Sequence, residues 1–234
     1  MLLSPKYLDA CRNAIREVFP DGKLEMPCDK DLDFSKSLPL CILSAVFSNQ
    51  EKEETTKTIL YKYLNYDFSS GKIKDSKNGQ TITDFLAKIK EFPDIKTFTA
   101  TVLKNNRPTC HILRGELAQN VALKMKELHI DTVQDFQNKN QTELAEQLCS
   151  IDGIGEATCR YIFMLTGDAS QCKPDRWLMR FMKRYSENPP CCNIQKLFTQ
   201  TVQELRKEPE FSSLTVALLD YAVWESERRK DKQN

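Results

Sequence analysis

The sequence predicts an all-α fold, and three observations favour this class. Strand-like alternation is scarce along the 234 residues, whereas apolar residues recur at helical spacing in one segment after another. Helix-capping residues precede these segments: Ser4 stands before Pro5, and Ser37 stands before an apolar run. The connections between the segments are short, as expected for packed helices.

The predicted helices follow one another along the chain. The first begins at Pro5 and carries an apolar stripe that ends near Phe19. The second, LPLCILSAVFSNQ after Ser37, is apolar on nearly every side, so we expect it in the centre of the fold. Asn140 and Glu143 form a capping-box pair ahead of another helix. The other predicted helices cover residues 52–66, 81–91, 95–105, 113–128, 131–137, 156–166, 175–185, 193–206 and 212–228, with a flexible loop at 69–80.

Composition and cysteine usage restrict the classes of protein that fit. The net charge is +1, so binding of nucleic acid must depend on a local basic surface. The N-terminal segment does not resemble a signal peptide, and no run approaches the roughly 20 apolar residues of a membrane helix. We therefore expect a monomer without membrane association, in the cytoplasm near the nucleoid or in a eukaryotic nucleus. The nine cysteines include no C-x2-C pair, which favours reduced thiols over a metal site.

Two of the seven glycines stand one residue apart in IDGIG, between two helical patterns. Gly153 and Gly155 permit positive φ angles and a close approach of the backbone to a ligand. The amides of this turn and of the following helix then point outward, where the positive end of the helix dipole favours an anionic oxygen. The expected ligand is a DNA phosphate, bound without reading of the base sequence. The alternative is an ordinary pair of antiparallel helices, with one glycine ending the first.

A second motif follows shortly after this hairpin. The helix from Glu156 to Gly167 leads to CKPDRWLMRF, in which Pro174 and Asp175 begin another helix. The hairpin, the helix and the P-D dipeptide together resemble the helix-hairpin-helix superfamily of base-excision DNA glycosylases, the endonuclease III-like proteins. Two further segments agree: LCILSAVFSNQ is similar to the buried early helix of the family, and LLDYAVWESER to its closing helix. The resemblance covers residues 37–228.

The resemblance assigns the catalytic role to Asp175. Members of the family cleave the N-glycosidic bond of a damaged or mispaired base that is flipped out of the duplex. This cleavage builds oxocarbenium character on the deoxyribose, and a carboxylate stabilises the charge and helps to orient or activate the attacking water. Asp175 also stands where a helix N-cap is expected, and this purely structural role is the alternative. The two roles are compatible in one side chain.

The sequence departs from the bifunctional members of the family at one position of the hairpin. These members carry a lysine two residues after the second glycine, where it forms a Schiff base and leads to strand cleavage. Ala157 stands there in this chain. The resemblance thus implies a monofunctional enzyme with water as nucleophile and no lyase activity. Lys173 stands close to Asp175 in sequence, and a relocated amine at this position stays open.

The resemblance also bears on cofactors. The iron–sulfur cluster of the endonuclease III branch needs four closely spaced cysteines, and only Cys191 and Cys192 lie late in this chain, so we expect no cluster. Family hairpins often hold a monovalent cation through main-chain carbonyls. In this chain the carbonyls would be those of Cys149, Ile151 and Ile154. No other cofactor is expected.

Contacts with double-stranded DNA are predicted in several segments. Gln50 falls where the family fills the gap left by a flipped base; Asn49 and Ser48 are equal candidates, and a polar helix end is the alternative. Trp177 is a candidate for stacking on the base, although a Trp at this spacing is also typical of a core. Basic residues between 160 and 184 form a strip suited to phosphates or simply a solvated helix face. The residues predicted to contact DNA are Gly153, Ile154, Gly155, Glu156, Asn49, Gln50, Lys173 and Arg176.

The sequence therefore predicts two helical subdomains with an interdomain cleft that holds Asp175. Residues 37–170 form a helical barrel with the helix-hairpin-helix at about 142–167, and residues 1–36 with 171–234 form the second subdomain. Two alternatives to the glycosylase stay open. One is a catalytically inactive helix-hairpin-helix protein that binds DNA or senses damage. The other is a helical protein-interaction domain that has no function in nucleic-acid binding.

Overall fold

Helices dominate the structure, a computed structural model that describes residues 3–27, 32–66, 80–185 and 194–233. The predictions for Cys191 and Cys192, and for residues 69–79 of the flexible loop, lie outside this part of the chain. The all-α prediction is confirmed. The helices are α1 Pro5–Val18, α2 Leu38–Phe47, α3 Glu53–Asn65, α4 Ile82–Lys90, α5 Ile95–Phe98, α6 Arg114–Glu127, α7 Val133–Gln137, α8 Gln141–Cys149, α9 Glu156–Leu165, α10 Arg176–Tyr185, α11 Ile194–Leu205 and α12 Val216–Gln233.

Local hydrogen bonds at the N-termini explain why several helices begin where the sequence predicts. The Ser4 hydroxyl accepts the amide of Tyr7 at 3.2 Å, and the Ser37 hydroxyl accepts the amide of Leu40 at 3.4 Å. The Asn140 side chain caps α8 in the same way. Each cap supplies a partner for an amide that the first helical turn leaves without one.

The helix predicted at 95–105 differs in the structure. Helix α5 is short, and a π-helical turn, Thr99–Leu103, continues it. This turn packs against Gly115 of α6, where a Cβ atom would lie only 1.9 Å from the Thr99 hydroxyl oxygen. The absence of a side chain at Gly115 therefore lets α6 and the π turn approach closely.

A short β-hairpin precedes α6, and the sequence did not reveal it. Its strands are β1 Pro108–Thr109 and β2 Ile112–Leu113, which pair antiparallel. The tip residues Cys110 and His111 have φ angles of 50° and 70°, a conformation that usually selects Asn or Gly. Because neither residue belongs to that pattern, the sequence contains no hairpin signal here.

Two compact units divide the chain. Residues 29–167 form the central unit, and residues 1–28 with 168–234 form the terminal unit. Every residue of α2 is buried in the core of the central unit. The core of the terminal unit is built from α1, α10, α11 and α12. The subdomain boundaries at 37 and 171 stay predictions. Within the described ranges, no helix combines the length and apolar character needed to cross a membrane.

Candidate functional site

The predicted hairpin lies in the central unit as two helices joined by a tight turn. Helix α8 ends at Cys149 and α9 begins at Glu156. The amide of Ile154 donates to the carbonyl of Ile151 at 3.0 Å and closes the turn. Ile154 is buried in the core, whereas Gly155 and Glu156 are exposed. The turn is thus anchored from the inside and open to solvent at the start of α9.

The two glycines of the turn differ in backbone conformation. Gly153 has a φ of 87°, and a Cβ atom there would lie 3.3 Å from Leu117. Gly155 has a φ of −94° and a ψ of 173°, an extended conformation that any residue adopts, and it is the N-cap residue of α9. Apart from its two neighbours in the chain, no residue of the described part has an atom within 4 Å of a Cβ atom built at Gly155. Gly153 is therefore needed for the backbone conformation of the turn, whereas the absence of a side chain at Gly155 leaves open space at the start of α9.

We expect the variants Gly153→Ala and Gly155→Ser to differ in stability. Alanine at 153 is forced into the left-handed region against Leu117, which lowers the free energy of unfolding by about 1–2 kcal/mol. Serine at 155 fits the extended backbone and supplies the side-chain cap that α9 lacks, so stability stays level or rises slightly. Urea unfolding of both variants measures the difference. Equal losses in the two would contradict the separate roles.

The end of α2 reaches the hairpin within the same unit. The Asn49 side-chain amide donates to the Thr158 hydroxyl of α9 at 3.1 Å, and the Ser48 hydroxyl donates to a carbonyl of its own helix. Gln50 is exposed and has a φ of 55°, which is uncommon for a residue of its type. Of the three candidates for the gap left by a flipped base, Gln50 is therefore the exposed one, and Asn49 makes a contact within the protein.

A buried arginine fixes the segment from Asn49 to Glu51, which follows α2. Arg114, at the start of α6, donates to the carbonyl of Asn49 at 2.6 Å and to Glu51 Oε1 at 3.0 Å. The same Glu51 oxygen accepts a hydrogen bond from Arg107 at 2.6 Å. Arg114 and Glu51 are each only 5% exposed, whereas Arg107 is 67% exposed. The residues on either side of Gln50 are thus fixed by a guanidinium group, which stabilises the left-handed backbone between them.

Asp175 lies in the terminal unit as the N-cap of α10. Its Oδ1 atom accepts the amides of Trp177 at 2.8 Å and Leu178 at 3.2 Å. Its own amide donates to the carbonyl of Lys173 at 2.7 Å, which closes a three-residue turn around Pro174. The side chain is half-buried. The capping role is therefore present, and because the cap uses Oδ1, it does not require Oδ2.

Lys173 and a second acidic residue, Asp220 of α12, share this part of the terminal unit. The Lys173 amide donates to Asp220 Oδ1 at 2.9 Å. Burial raises the pKa of Asp220 well above its usual range; the Asp175 carboxylate acts in the same direction, and Lys173 opposes it. Burial also lowers the pKa of the Lys173 ammonium group, against the effect of Asp175 and Asp220. The Asp175 carboxylate therefore acts to raise the pKa of both Asp220 and Lys173, in the same direction as burial for Asp220 and against it for Lys173.

Two guanidinium groups lie close to the ring of Trp177. The Arg176 group is 4.7 Å and the Arg180 group 5.8 Å from the centre of its ring. Such distances are typical of cation–π contacts. Trp177 is half-buried, and it is not one of the residues that form or flank the core of its unit. The ring is thus an aromatic group with two positive charges close to it. Trp177 follows Asp175 by two residues in the chain.

Ion pairs reduce the charge of the basic strip predicted between residues 160 and 184. Two of the acidic partners belong to α12, so the local sequence does not show them. The pairs are Arg160–Glu156 at 2.8 Å, Arg180–Asp231 at 2.6 Å and Arg184–Glu227. Paired cations attract phosphates less strongly than the same number of isolated ones, so the strip is a weaker electrostatic site than its composition suggests.

The carbonyls predicted to hold a monovalent cation belong to Cys149, Ile151 and Ile154 at the turn. The Ile151 oxygen accepts the Ile154 amide and has a second lone pair. A main-chain donor set of this kind suits a monovalent cation, so the site stays a proposal. Across the ranges that the structure describes, no group of three or more His, Cys, Asp or Glu residues is placed to hold a metal ion.

Sequence analysis missed Arg114 and Asp220. Asp220 interrupts the apolar run LLDYAV, and an acidic residue on a buried helix face is a signal that it has a partner. Arg114 carries no such signal, because a basic residue at a helix start is usually solvated.

Comparison with solved structures identifies the class of fold. The chain is similar to the Clostridium acetobutylicum 8-oxoguanine glycosylase/lyase, whose crystal structure is a complex with double-stranded DNA containing cytosine opposite to 8-oxoG. The TM-score is 0.54 with 16% sequence identity, over 94% of this chain and 70% of that chain. This likeness shows a DNA glycosylase fold. The chain belongs to the family described as "Domain of unknown function (DUF8548)", whose model matches residues 16–228. Comparison with curated proteins gave no match.

Proposed function

We propose that this protein is a DNA base-excision glycosylase. It hydrolyses the N-glycosidic bond of a damaged or mispaired base that is flipped out of double-stranded DNA, and it leaves an abasic site. Asp175 supplies the carboxylate and water is the nucleophile. No strand cleavage follows, because Ala157 stands where an amine is needed. The protein acts as a monomer, in the cytoplasm at the nucleoid or in a eukaryotic nucleus.

The observation that carries the proposal is the position of Asp175. Two backbone amides fix one oxygen of its carboxylate, and the side chain is half-buried at the start of α10. A carboxylate held in this way needs no reorganisation when positive charge develops on the deoxyribose, which is the condition for strong electrostatic catalysis. Its Oδ2 atom, which the cap does not need, is suited to orient the attacking water.

The start of α9 supports binding of a DNA phosphate. The first amides of this helix donate to no capping side chain, so they are suited to bind an anion together with the helix dipole. The space beside Gly155 is open. Glu156 would repel a phosphate, but its carboxylate pairs with Arg160 at 2.8 Å. A monovalent cation on the carbonyls of Cys149, Ile151 and Ile154 would add positive charge at the same turn.

A release assay tests this proposal. We expect the purified protein to liberate a free base from at least one duplex in a panel that contains uracil, alkylated purines, oxidised bases and mismatches. Borohydride should trap no covalent adduct, since water and not Lys173 attacks the sugar. Affinity for the duplex should fall with salt, by a log–log slope of about −0.9 for each phosphate contacted. Gly155→Ser should weaken this binding without loss of stability, because its side chain fills the space for the phosphate.

Other results select among the alternatives. Tight, salt-dependent binding to damaged duplexes without release of any base would favour a protein that senses damage without turnover. Weak binding that does not respond to salt would favour a protein-interaction domain. An adduct trapped by borohydride in the wild type but not in Lys173→Gln would overturn the assignment of water as nucleophile.

A further inference from the structure

Asp220 is an acidic residue beside Asp175 that the proposed reaction does not use. It belongs to α12, is 7% exposed and lies 47 residues from Lys173 along the chain. An acidic side chain is rarely buried unless it has a partner. Here the partner is the backbone amide of Lys173, which donates to Asp220 Oδ1 at 2.9 Å.

A short series of hydrogen bonds connects Asp220 with the Asp175 carboxylate. The Lys173 amide is held by Asp220, and the Lys173 carbonyl accepts the amide of Asp175 at 2.7 Å. Between them, the ring of Pro174 fixes its own φ angle. The Asp175 carboxylate then accepts the amide of Trp177 at 2.8 Å. The backbone from Lys173 to the first turn of α10 thus has little conformational freedom as long as Asp220 accepts the Lys173 amide.

We propose that Asp220 is a positioning residue for Asp175: it anchors the turn Lys173–Pro174–Asp175 to α12 and places a second carboxyl group beside the first. This inference rests on the proposed function for its effect on base release, but not for its effect on the structure. Positioning matters because a misplacement of a reacting group by about 1 Å reduces the rate by roughly a hundredfold.

The protonation of Asp220 gives the proposal a measurable signature. Among the described groups, Asp175 and Lys173 act on it, and the balance with burial raises its pKa. Asp220 therefore retains its proton through the ordinary range of a carboxyl group and ionises at higher pH. Because the folded chain binds this proton more tightly than the unfolded chain, stability falls as the pH rises from the ordinary carboxyl range towards the raised pKa.

Two variants separate the hydrogen bond from the charge. Asp220→Asn keeps an oxygen for the Lys173 amide and resembles the protonated acid, so base release should stay within about threefold of the wild type at low pH. Asp220→Ala removes the acceptor, and release should fall by roughly tenfold to a hundredfold in kcat, measured on the folded fraction. The wild-type rate should change as Asp220 ionises, whereas the rate of Asp220→Asn should stay level over the same pH range.

Amide hydrogen exchange tests the positioning without any need for catalysis. In Asp220→Ala, the amides of Trp177 and Leu178 should exchange faster, and in Asp220→Asn they should stay protected. The matched control is Glu227→Ala on the same helix. Glu227 is also buried, but its partners are Arg184 and Lys230, so this variant should lose stability while the two capping amides stay protected.

The outcomes distinguish failure of this inference from failure of the proposed function. A wild type that releases no base overturns the glycosylase, and the exchange data still decide whether Asp220 holds the turn. Unchanged exchange in Asp220→Ala overturns the positioning role. So does an Asp220→Asn variant that is as impaired as Asp220→Ala, or one that retains the wild-type pH dependence of base release.

Discussion

Asp175→Asn is expected to lower base release by about 10²–10⁴-fold while the protein stays folded. Asparagine is as good an N-cap as aspartate, so its oxygen continues to accept the amides of Trp177 and Leu178. The variant lacks the negative charge that stabilises the sugar in the transition state. Duplex binding should be retained or slightly tighter, because a charge that repels phosphates is removed.

The control for this prediction is Asp175→Ala, which removes the cap as well as the charge. It should lose activity to the same extent and in addition about 1 kcal/mol of the free energy of unfolding. Single-turnover release, duplex affinity and urea unfolding measure the three quantities. If Asp175→Asn released bases at the wild-type rate, Asp175 would be a structural cap alone, and the enzyme proposal would lose the residue on which it depends.

Arg114→Met is expected to cause the largest loss of stability, about 3 kcal/mol, because it leaves Glu51 buried without its buried partner. It also removes the donor to the carbonyl of Asn49. The left-handed backbone of Gln50 then has no fixed neighbour, so contacts that depend on Gln50 should weaken as well. Urea unfolding gives the free energy, and duplex affinity at temperatures far below the unfolding midpoint gives the effect on binding.

Arg107→Met is the matched control. Arg107 donates to the same Glu51 oxygen, but it is 67% exposed, so its removal should cost at most about 1 kcal/mol. The double variant Glu51→Met/Arg114→Met should be more stable than Arg114→Met, since no charge is left buried. Equal losses for Arg107→Met and Arg114→Met would show that burial does not determine the strength of this network.

The sequence was most reliable where a structural feature depends on neighbouring residues. The caps at Ser4, Ser37 and Asp175 join atoms two or three residues apart, so they are visible in a single pattern of letters. The sequence did not distinguish the roles of the two hairpin glycines. Gly153 has a positive φ and Gly155 is extended, and the glycine pattern alone does not tell a conformational need from a need for space.

Ion pairs between residues that lie far apart in the chain could not be predicted from the sequence. The basic residues near Asp175 suggested an open charged strip, yet Arg180 and Arg184 pair with Asp231 and Glu227 of α12. The β-hairpin before α6 was missed as well, since Cys110 and His111 adopt positive φ angles without the usual turn residues.

By itself, the sequence determined the all-α class, the position of most helices and the cap at Asp175, because helix periodicity and capping are local properties of the chain. Only the tertiary structure decided that Asp220 accepts the Lys173 amide and that Arg114 binds the Asn49 carbonyl and the Glu51 carboxylate on either side of Gln50. Those contacts form when the helices pack against one another, because packing brings together residues that lie far apart in the sequence.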